Sequence, residues 1–379
     1  MSGPMRAVYE EAAALSSEGK RFVLATVVNT KGSTPQKPGA ALLVRGDGST
    51  VGTLGGGCVE GDIWFAAKEA LREGAPPLYK DYYLNEDIAA RDGLVCGGSM
   101  YFYIEPVLRP LDFGRLAAAV KDAYEGGRSL AVATIVHSEG GPIGARLAVH
   151  EDGATEGTLG RPDLDAQAIA AAARVTPMGR TERFLTDAGE EVFVVGYTAP
   201  AALVLVGGGH VNLATANAAH TLGFKVMVAD DRREFANEER FPMAERFNVG
   251  SYDHALDGFP VTPNTAIVVA TRGHRYDDLA LEAAARTRAG YVGLIGSKRK
   301  TIMVFERMLR NGMPLERIKQ IHAPIGLDLG GRDPNEIAVS IMSEVLAWRH
   351  NRAGGPMKLE DAQIDRLAAK AQEAATPAG

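Results

Sequence analysis

Ala202-Leu-Val-Leu-Val206-Gly207-Gly208-Gly209-His210-Val211-Asn212 opens the stretch that decides the fold. The five apolar residues suit a strand buried on both faces, the glycines suit a tight turn, and the residues after them read as a helix to about Leu222. Lys225-Val-Met-Val-Ala229 reads as a second strand, and it ends in Asp230-Asp231. Strand, glycine turn, helix, strand and acid follow the order of a dinucleotide-binding unit. Asp230 stands 23 residues after Gly207, against roughly 20 for a ribose-binding carboxylate. Asn212 replaces the third glycine of the usual pattern, and Arg232-Arg233 leave a 2′-phosphate preference open. A Rossmann-like α/β domain with a mainly parallel sheet is predicted over 200–350. Gly207, Gly208, Gly209, His210, Asp230 and Asp231 are its candidates for nucleotide contact.

Further strand–helix units extend this pattern. Ala266-Ile-Val-Val-Ala270 leads into Thr271-Arg-Gly-His274, and Tyr291-Val-Gly-Leu-Ile295 leads into Gly296-Ser297-Lys298-Arg299. Ligands of open parallel sheets bind beyond the carboxyl ends of the strands, which places His274, Ser297, Lys298 and Arg299 on the binding side. Lys298 and Arg299 suit phosphate contact, or equally a solvated helix start, and His274 equally suits a satisfied loop histidine. In His322-Ala-Pro-Ile-Gly326-Leu-Asp-Leu-Gly-Gly-Arg-Asp333-Pro334-Asn-Glu336, the last four positions form a capping-box pattern, so Glu336 reads as structural. The glycine-rich loop before them has no such need, and His322 and Gly326 are assigned to ligand contact. Residues 351–379 read as a tail or a loosely attached helix.

The first half contains a duplication. Leu24-Ala-Thr-Val-Val-Asn-Thr-Lys-Gly32 reappears as Val132-Ala-Thr-Ile-Val-His-Ser-Glu-Gly140, and Gly39–Gly55 reappears as Gly144–Gly160. Each copy reads as strand, turn, strand, Asp-Gly turn, short strand, helix and closing strand, with Asp47-Gly48 and Asp152-Gly153 as the hairpin signals. The helices are placed at about Asp62–Arg72 and Asp165–Ala173, and the closing strands at Met100–Ile104 and Val192–Val195. An N-terminal α+β body over 1–199 follows, built from two related β-rich units of about 1–108 and 109–199.

Where the copies differ, the first holds what the second lacks. It carries Gly32-Ser-Thr-Pro-Gln-Lys-Pro-Gly39 and Gly55-Gly56-Gly57-Cys58-Val-Glu60-Gly61, where the second has Gly140-Gly-Pro-Ile-Gly144 and Gly160-Arg-Pro-Asp-Leu-Asp165. Gly56 and Gly57 let a ligand approach the backbone, and a helix starting near Val59 favours an anion and lowers the pKa of the Cys58 thiol. Glu60 complements the dipole of that helix and is a catalytic candidate beside Cys58, or is simply a helix-start charge. Cys96, in Val95-Cys96-Gly97-Gly98, is the second thiol with a candidate chemical role. Buried small hydrophobes are the ordinary reading of free cysteines. No metal site is expected, because two cysteines without nearby histidine pairs lack zinc-ligand spacing.

Composition sets outer bounds. The chain has 379 residues, 46% hydrophobic and 23% charged, with a formal net charge of -6 and no basic run, which argues against nucleic acid as a partner. No apolar run is long enough for a membrane span, and residues 1–10 lack the order of a signal peptide, so a cytoplasmic protein is expected.

Together these residues resemble the XdhC/CoxI family, accessory proteins of xanthine dehydrogenase and related molybdenum hydroxylases. The resemblance covers about Met5 to His350. It rests on Gly32-Ser-Thr-Pro35, Gly55-Gly-Gly-Cys-Val-Glu-Gly61, Cys96-Gly-Gly98, Ile104-Glu-Pro106, Val206-Gly-Gly-Gly-His210, Gly293-Leu-Ile-Gly-Ser297 and His322-Ala-Pro-Ile-Gly-Leu327. Two positions depart: Asp333 stands where Thr is expected, and Gly55 where Ser is common, which removes one ligand hydroxyl. The resemblance implies a protein that transiently binds the molybdenum cofactor (molybdopterin), supports its sulfuration by a cysteine desulfurase and delivers it to a xanthine dehydrogenase-type apo-enzyme. It points to a cofactor-insertion chaperone rather than an enzyme, and a homodimer is compatible with it. Two readings stand beside it: an NAD(P)-dependent oxidoreductase, and a non-catalytic nucleotide-binding adaptor.

Overall fold

The computed structural model describes residues 2–83, 98–139, 141 and 143–375, without the side chains of 2–4, 58, 274, 275 and 371–375. Helix α1 (Ser2–Ser17) precedes strands β1 (Phe22–Lys31), β2 (Ala41–Arg45) and β3 (Thr50–Gly52). Helix α2 (Gly57–Glu73) leads to β4 (Leu78–Tyr83) and β5 (Ser99–Val107). The second unit repeats the order with α3 (Pro110–Glu125), β6 (Leu130–His137), β7 (Arg146–His150), β8 (Thr155–Thr158), α4 (Pro162–Val175), β9 (Thr181–Leu185) and β10 (Glu191–Tyr197). The sheet orders, β3-β2-β1-β5-β4 and β8-β7-β6-β10-β9, are the same. The duplication thus extends to topology, and it adds a leading helix and a strand before the closing strand that local pattern had not supplied.

The copying reaches single residues. Val28 drops out of the β1–β5 register and Val136 out of the β6–β10 register, so each unit has a bulge at the same place. Both valines are buried, packed together with Tyr103 and Phe193. Along β1, Val23, Ala25 and Val27 face α2, while Phe22 and Leu24 face inward to a core shared with α1, α3, β6, β7 and β10. That alternation is the two-residue period of a strand.

Polar groups sit inside the shared core. Arg146 of the second unit pairs with Glu105 of the first, and both are largely buried. Tyr9 and Tyr197 share a hydrogen bond of 2.6 Å between their hydroxyls. These groups line a cavity of about 40 Å³ between the inner faces.

The parallel sheet follows, with strands β11 (Ala202–Val206), β12 (Lys225–Asp230), β13 (Ala244–Val249), β14 (Thr265–Val269), β15 (Tyr291–Leu294) and β16 (Ile321–His322). Its order, β13-β12-β11-β14-β15-β16, is that of a Rossmann fold. Helices α5 (His210–Thr221) and α9 (Pro334–His350) cover one face, against Leu203, Leu205, Val226, Val228 and Val268. Helices α6 (His274–Ala285) and α7 (Lys298–Arg310) cover the other, against Val204, Val206, Met227, Ile267 and Val269. A short helix α8 (Leu315–Lys319) precedes β16, and α10 (Asp361–Ala375) is the last element among the described residues. The capping box at α9 is present, with the Asp333 side chain accepting from Asn335 N at 2.8 Å and Glu336 accepting from Asp333 N at 3.1 Å. The sheet meets the N-terminal body where Arg180 Nη2 donates to Arg349 O at 2.6 Å and Asn264 Nδ2 donates to Ala199 O at 3.0 Å. Among the described residues no helix is long and apolar enough to cross a membrane.

Removing one partner of a buried ion pair strands the other charge. Glu105→Gln should therefore destabilise the N-terminal body by about 3 kcal/mol, and pairing it with Arg146→Met should recover about half of that loss. Urea unfolding followed by circular dichroism checks both values.

Candidate functional site

The loop that enters α2 is built by three consecutive glycines with positive φ: Gly55 at 108°, Gly56 at 76° and Gly57 at 65°. Residues with a Cβ rarely adopt that backbone, which is why the chain has glycine there. All three are exposed. A side chain at Gly55 would meet Pro35 Cβ at 2.6 Å, and one at Gly98 would meet Ser33 O at 2.4 Å. The Gly32–Gly39 loop is therefore held between the Gly55 turn on one side and Gly98 on the other. Ser33 and Lys37 are exposed on it, and Lys31 is exposed at the end of β1 beside it. Cys58 is the second residue of α2, and its side chain is not among those described. Cys96 lies outside the described residues.

Glu60 braces this loop. Its Oε2 accepts from Thr53 Oγ1 at 2.9 Å, Leu54 N at 2.9 Å and Gly56 N at 3.1 Å. Burial pushes the carboxyl up, but the Leu54 N–H, the Thr53 hydroxyl and the Gly56 N–H outweigh it and hold the group below its ordinary value. The second unit has the same brace, where Asp165 accepts from Thr158 Oγ1 at 2.6 Å and from Leu159 N at 2.7 Å. Glu60 therefore has a counterpart and belongs to the shared scaffold, which corrects its placement among the residues peculiar to the first copy. Gly55 is matched by Gly160, but Gly56 and Gly57 are not: the second unit enters α4 on Arg161, whose guanidinium is held by Asp163 and Glu190, each at 3.2 Å.

At the carboxyl ends of the parallel strands, the glycine turn is closed from above. A Cβ at Gly208 would lie 1.9 Å from Phe235 O, and Arg240 Nε donates to Gly208 O at 2.8 Å. Asp230 is 1% exposed. It accepts from Gly208 N at 2.7 Å, from Arg232 N at 3.0 Å and from Arg232 Nε at 3.0 Å. Burial raises its pKa, and the Arg232 guanidinium with these N–H groups reverses the sign and keeps it low. The expectation of an open ribose-binding carboxylate at Asp230 gives way to a carboxylate consumed by its own turn. Asp231 is partly exposed and accepts from Tyr252 OH at 3.1 Å and Arg272 Nη2 at 2.6 Å.

The remaining candidates spread along the same edge. His210 is exposed at the start of α5. His274 opens α6, with its side chain outside the description. Ser297 caps α7 by accepting from Lys300 N at 3.3 Å, and Lys298 and Arg299 are exposed beside it. His322 sits at the end of β16, three strands from β11 and so roughly 14 Å away.

Two braces escaped the sequence reading. Glu344 on α9 accepts from Tyr291 OH at 2.7 Å and Gly326 N at 2.6 Å, and its Oε1 lies 2.9 Å from His322 Nδ1. His322 also stacks on Tyr291, with ring centroids 4.2 Å apart. Lys300 Nζ pairs with Asp277, which is fully buried, at 2.5 Å, and Asp277 accepts from Thr271 Oγ1 at 2.8 Å. Both join elements far apart in sequence. Among the described residues no group of three or more His, Cys, Asp or Glu side chains is arranged to hold a metal ion.

One family model, the XdhC Rossmann domain, matches residues 203–345, and another, the XdhC and CoxI family, matches residues 15–82 and 123–186, one segment in each five-stranded unit. The chain belongs to the XdhC/CoxI family. It is 28% identical over 351 residues to YqeB of Escherichia coli strain K12, covering 92% of this chain and 48% of that protein, so it spans about half of that relative's length. A second relative, from Bacillus subtilis strain 168, is named as a probable xanthine dehydrogenase subunit; the two are 28% identical over 338 residues, covering 89% of this chain and 96% of the other. The molybdenum cofactor insertion chaperone PaoD of Escherichia coli strain K12 is 24% identical over 338 residues, covering 87% and 84%. In fold, the XdhC/CoxI chain resembles the crystal structure of a xanthine dehydrogenase from Bacillus halodurans, with a TM-score of 0.64, 23% identity and coverage of 91% and 96%.

The Glu344 brace carries a pH signature. Burial raises its pKa, but the hydrogen bonds from His322, Gly326 and Tyr291 hold it below the ordinary 4.5. The stability it contributes is thus fully present above that value and is lost as pH falls through the lower, folded value. Thermal melts from neutral pH to about pH 3 should show the loss, and Glu344→Gln should lower the melting temperature at neutral pH while reducing its acid dependence.

Proposed function

We propose that this protein binds the molybdenum cofactor as cargo and serves in the maturation of a xanthine dehydrogenase-type hydroxylase. Membership in the XdhC/CoxI family supports the reading, as do the names of two relatives, a molybdenum cofactor insertion chaperone and a probable xanthine dehydrogenase subunit. One structural observation carries it. Three segments that differ from the second unit, the longer Gly32–Gly39 loop, the Gly56–Cys58 turn and Gly98, meet on a scaffold that is otherwise duplicated.

The cargo is an anionic phosphate ester, and the residues present suit it. The exposed glycines let a ligand come close to the backbone, Lys31 and Lys37 offer positive charge, and Cys58 offers a thiol at a helix start. Glu60 holds the loop in shape. The exposed Lys298 and Arg299, with the α5 end of the parallel sheet, suit the phosphate or nucleotide portion. A cysteine desulfurase and the apo-hydroxylase are the partners in this reading. The NAD(P)-dependent alternative loses the carboxylate it rested on, since Asp230 is occupied by Gly208 and Arg232.

Full-length protein purified anaerobically from a host that makes the cofactor should carry molybdopterin detectable by mass spectrometry, and Cys58→Ala should reduce the bound amount about tenfold, a loss of roughly 1.4 kcal/mol in binding. Cofactor-free wild-type protein overturns the reading. Capture of the apo-hydroxylase undiminished by changing Cys58 and Cys96 to Ser, with no molybdopterin bound, would support the adaptor instead.

A further inference from the structure

The two units differ again in the space between the leading helix and the first hairpin. Counted back from Phe22 and Leu130, Val8 of α1 corresponds to Leu116 of α3, and Glu11 to Ala119. By strand pairing, Arg45 opposite Phe22 corresponds to His150 opposite Leu130, and Gly52 to Gly157. In the first unit this space is closed. Val8 is fully buried, with its Cγ2 2.6 Å from where a Cβ on Gly52 would stand, and Glu11 accepts from Arg45 Nε at 2.6 Å. In the second unit Ala119 has no side chain to reach across, and His150 meets Glu156 at 3.2 Å instead. A groove of about 200 Å³ is left between α3 and the β7–β8 hairpin, with Leu116, Ala119, Val132 and Ala148 among its walls. An apolar cavity of about 150 Å³ holds benzene, so this groove takes one ring.

The groove adjoins the cavity of about 40 Å³ between the inner faces, since Leu116, Val132 and Arg146 line both. At about 10–15 Å³ for each water, that inner chamber has room for about three heavy atoms. Its lining is polar and balanced in charge. Nη2 of Arg146 donates to Oε2 of Glu105, which leaves other guanidinium N–H donors and Oε1 of Glu105 to a ligand. Tyr103 also lines the chamber; it is 5% exposed, and its hydroxyl is buried without a hydrogen-bond partner. A buried hydroxyl left unpaired costs the fold free energy that a bound acceptor returns. A charged ligand would not suit the chamber, because an anion would face Glu105 and a cation Arg146.

We propose that the second unit binds a small uncharged aromatic carboxamide here, with the ring in the groove and the carboxamide in the chamber. The carbonyl oxygen accepts from Tyr103 OH and Arg146, and the amide NH2 donates to Oε1 of Glu105. A carboxamide has the three heavy atoms that the chamber takes, and it offers an acceptor and a donor side by side without net charge. The site uses no residue of the Gly32–Gly39 loop, the Gly55–Cys58 turn or the parallel sheet, so it stands independently of the cargo site proposed above. The first unit lacks such a groove because Val8 and the Glu11–Arg45 pair fill the equivalent space.

Calorimetric titration of the full-length protein with benzamide, benzoate and benzylamine tests this, with circular dichroism confirming that the variants fold. Benzamide should bind at least about tenfold more tightly than either charged analogue. Tyr103→Phe should weaken benzamide about fivefold, the worth of one hydrogen bond, while the ligand-free protein melts no lower than before, since the hydroxyl has no partner to lose. Ala119→Glu with His150→Arg installs the pair that closes the first unit, and it should abolish binding. Ala148→Leu, which fills the groove from the sheet side, should do the same and serves in its place if the double variant does not fold. Absence of benzamide binding, benzoate or benzylamine binding as tightly as benzamide, unchanged affinity in Tyr103→Phe, or full binding by a folded groove-filling variant overturns the inference.

Discussion

A carboxylate that accepts backbone N–H groups recurs at five loops that leave strands in this protein. Glu60 takes Leu54 and Gly56, Asp165 takes Leu159, Asp230 takes Gly208, Asp277 takes Thr271 and Glu344 takes Gly326. Glycine-rich turns have little shape of their own, since glycine populates both halves of the backbone map. An ionised acceptor binding several N–H donors converts such a turn into a fixed surface, and it does so more strongly than a neutral acceptor would. The candidate sites at both ends of the molecule depend on this device.

The duplicated body shows what the device is for. Thr53 and Glu60 in one unit and Thr158 and Asp165 in the other make equivalent bonds at the same spacing. Above that common base the units diverge, the first with exposed glycines of positive φ and the second with Arg161 tied down by Asp163 and Glu190. The same fold is therefore kept twice while the open loop is kept once. The two copies also lean on each other, because Arg146 and Glu105 complete an ion pair across the shared core. The second unit is needed as support even though its own loop is closed.

Features carried by neighbouring residues were legible in the sequence. Gly207 to Asp231 announces the Rossmann unit, because turn and strand preferences act over a few residues. Asp333 and Glu336 announce their cap for the same reason, and the internal repeat announces the paired units. Arg272 reaching Asp231, Glu344 reaching His322 and Gly326, and Lys300 reaching Asp277 were not legible, since each spans 18 to 41 residues and exists only once the strands are ordered. The surroundings of Asp230 were hidden for a related reason: sequence spacing locates an acid at a strand end but does not show which donors surround it. The equivalence of Glu60 and Asp165 was visible, seven residues after Thr53 and Thr158, and was obscured by the differing loops between them.

Three pairs of polar groups at the carboxyl ends of the parallel strands hold one another: Arg272 with Asp231, Lys300 with Asp277, His322 with Glu344. A ligand arriving there exchanges partners instead of filling a field of unmet charge. Net affinity is the surplus of new contacts over those given up, so pre-paired charges moderate binding without abolishing specificity. An enzyme that must hold a resident cofactor gains from the opposite arrangement, with preorganised groups that await the ligand. A protein whose purpose is to take up a costly cofactor and surrender it to another is better served by groups that close on each other once the cargo leaves. Paired charges at the edge of the parallel sheet suit the carrier proposed above.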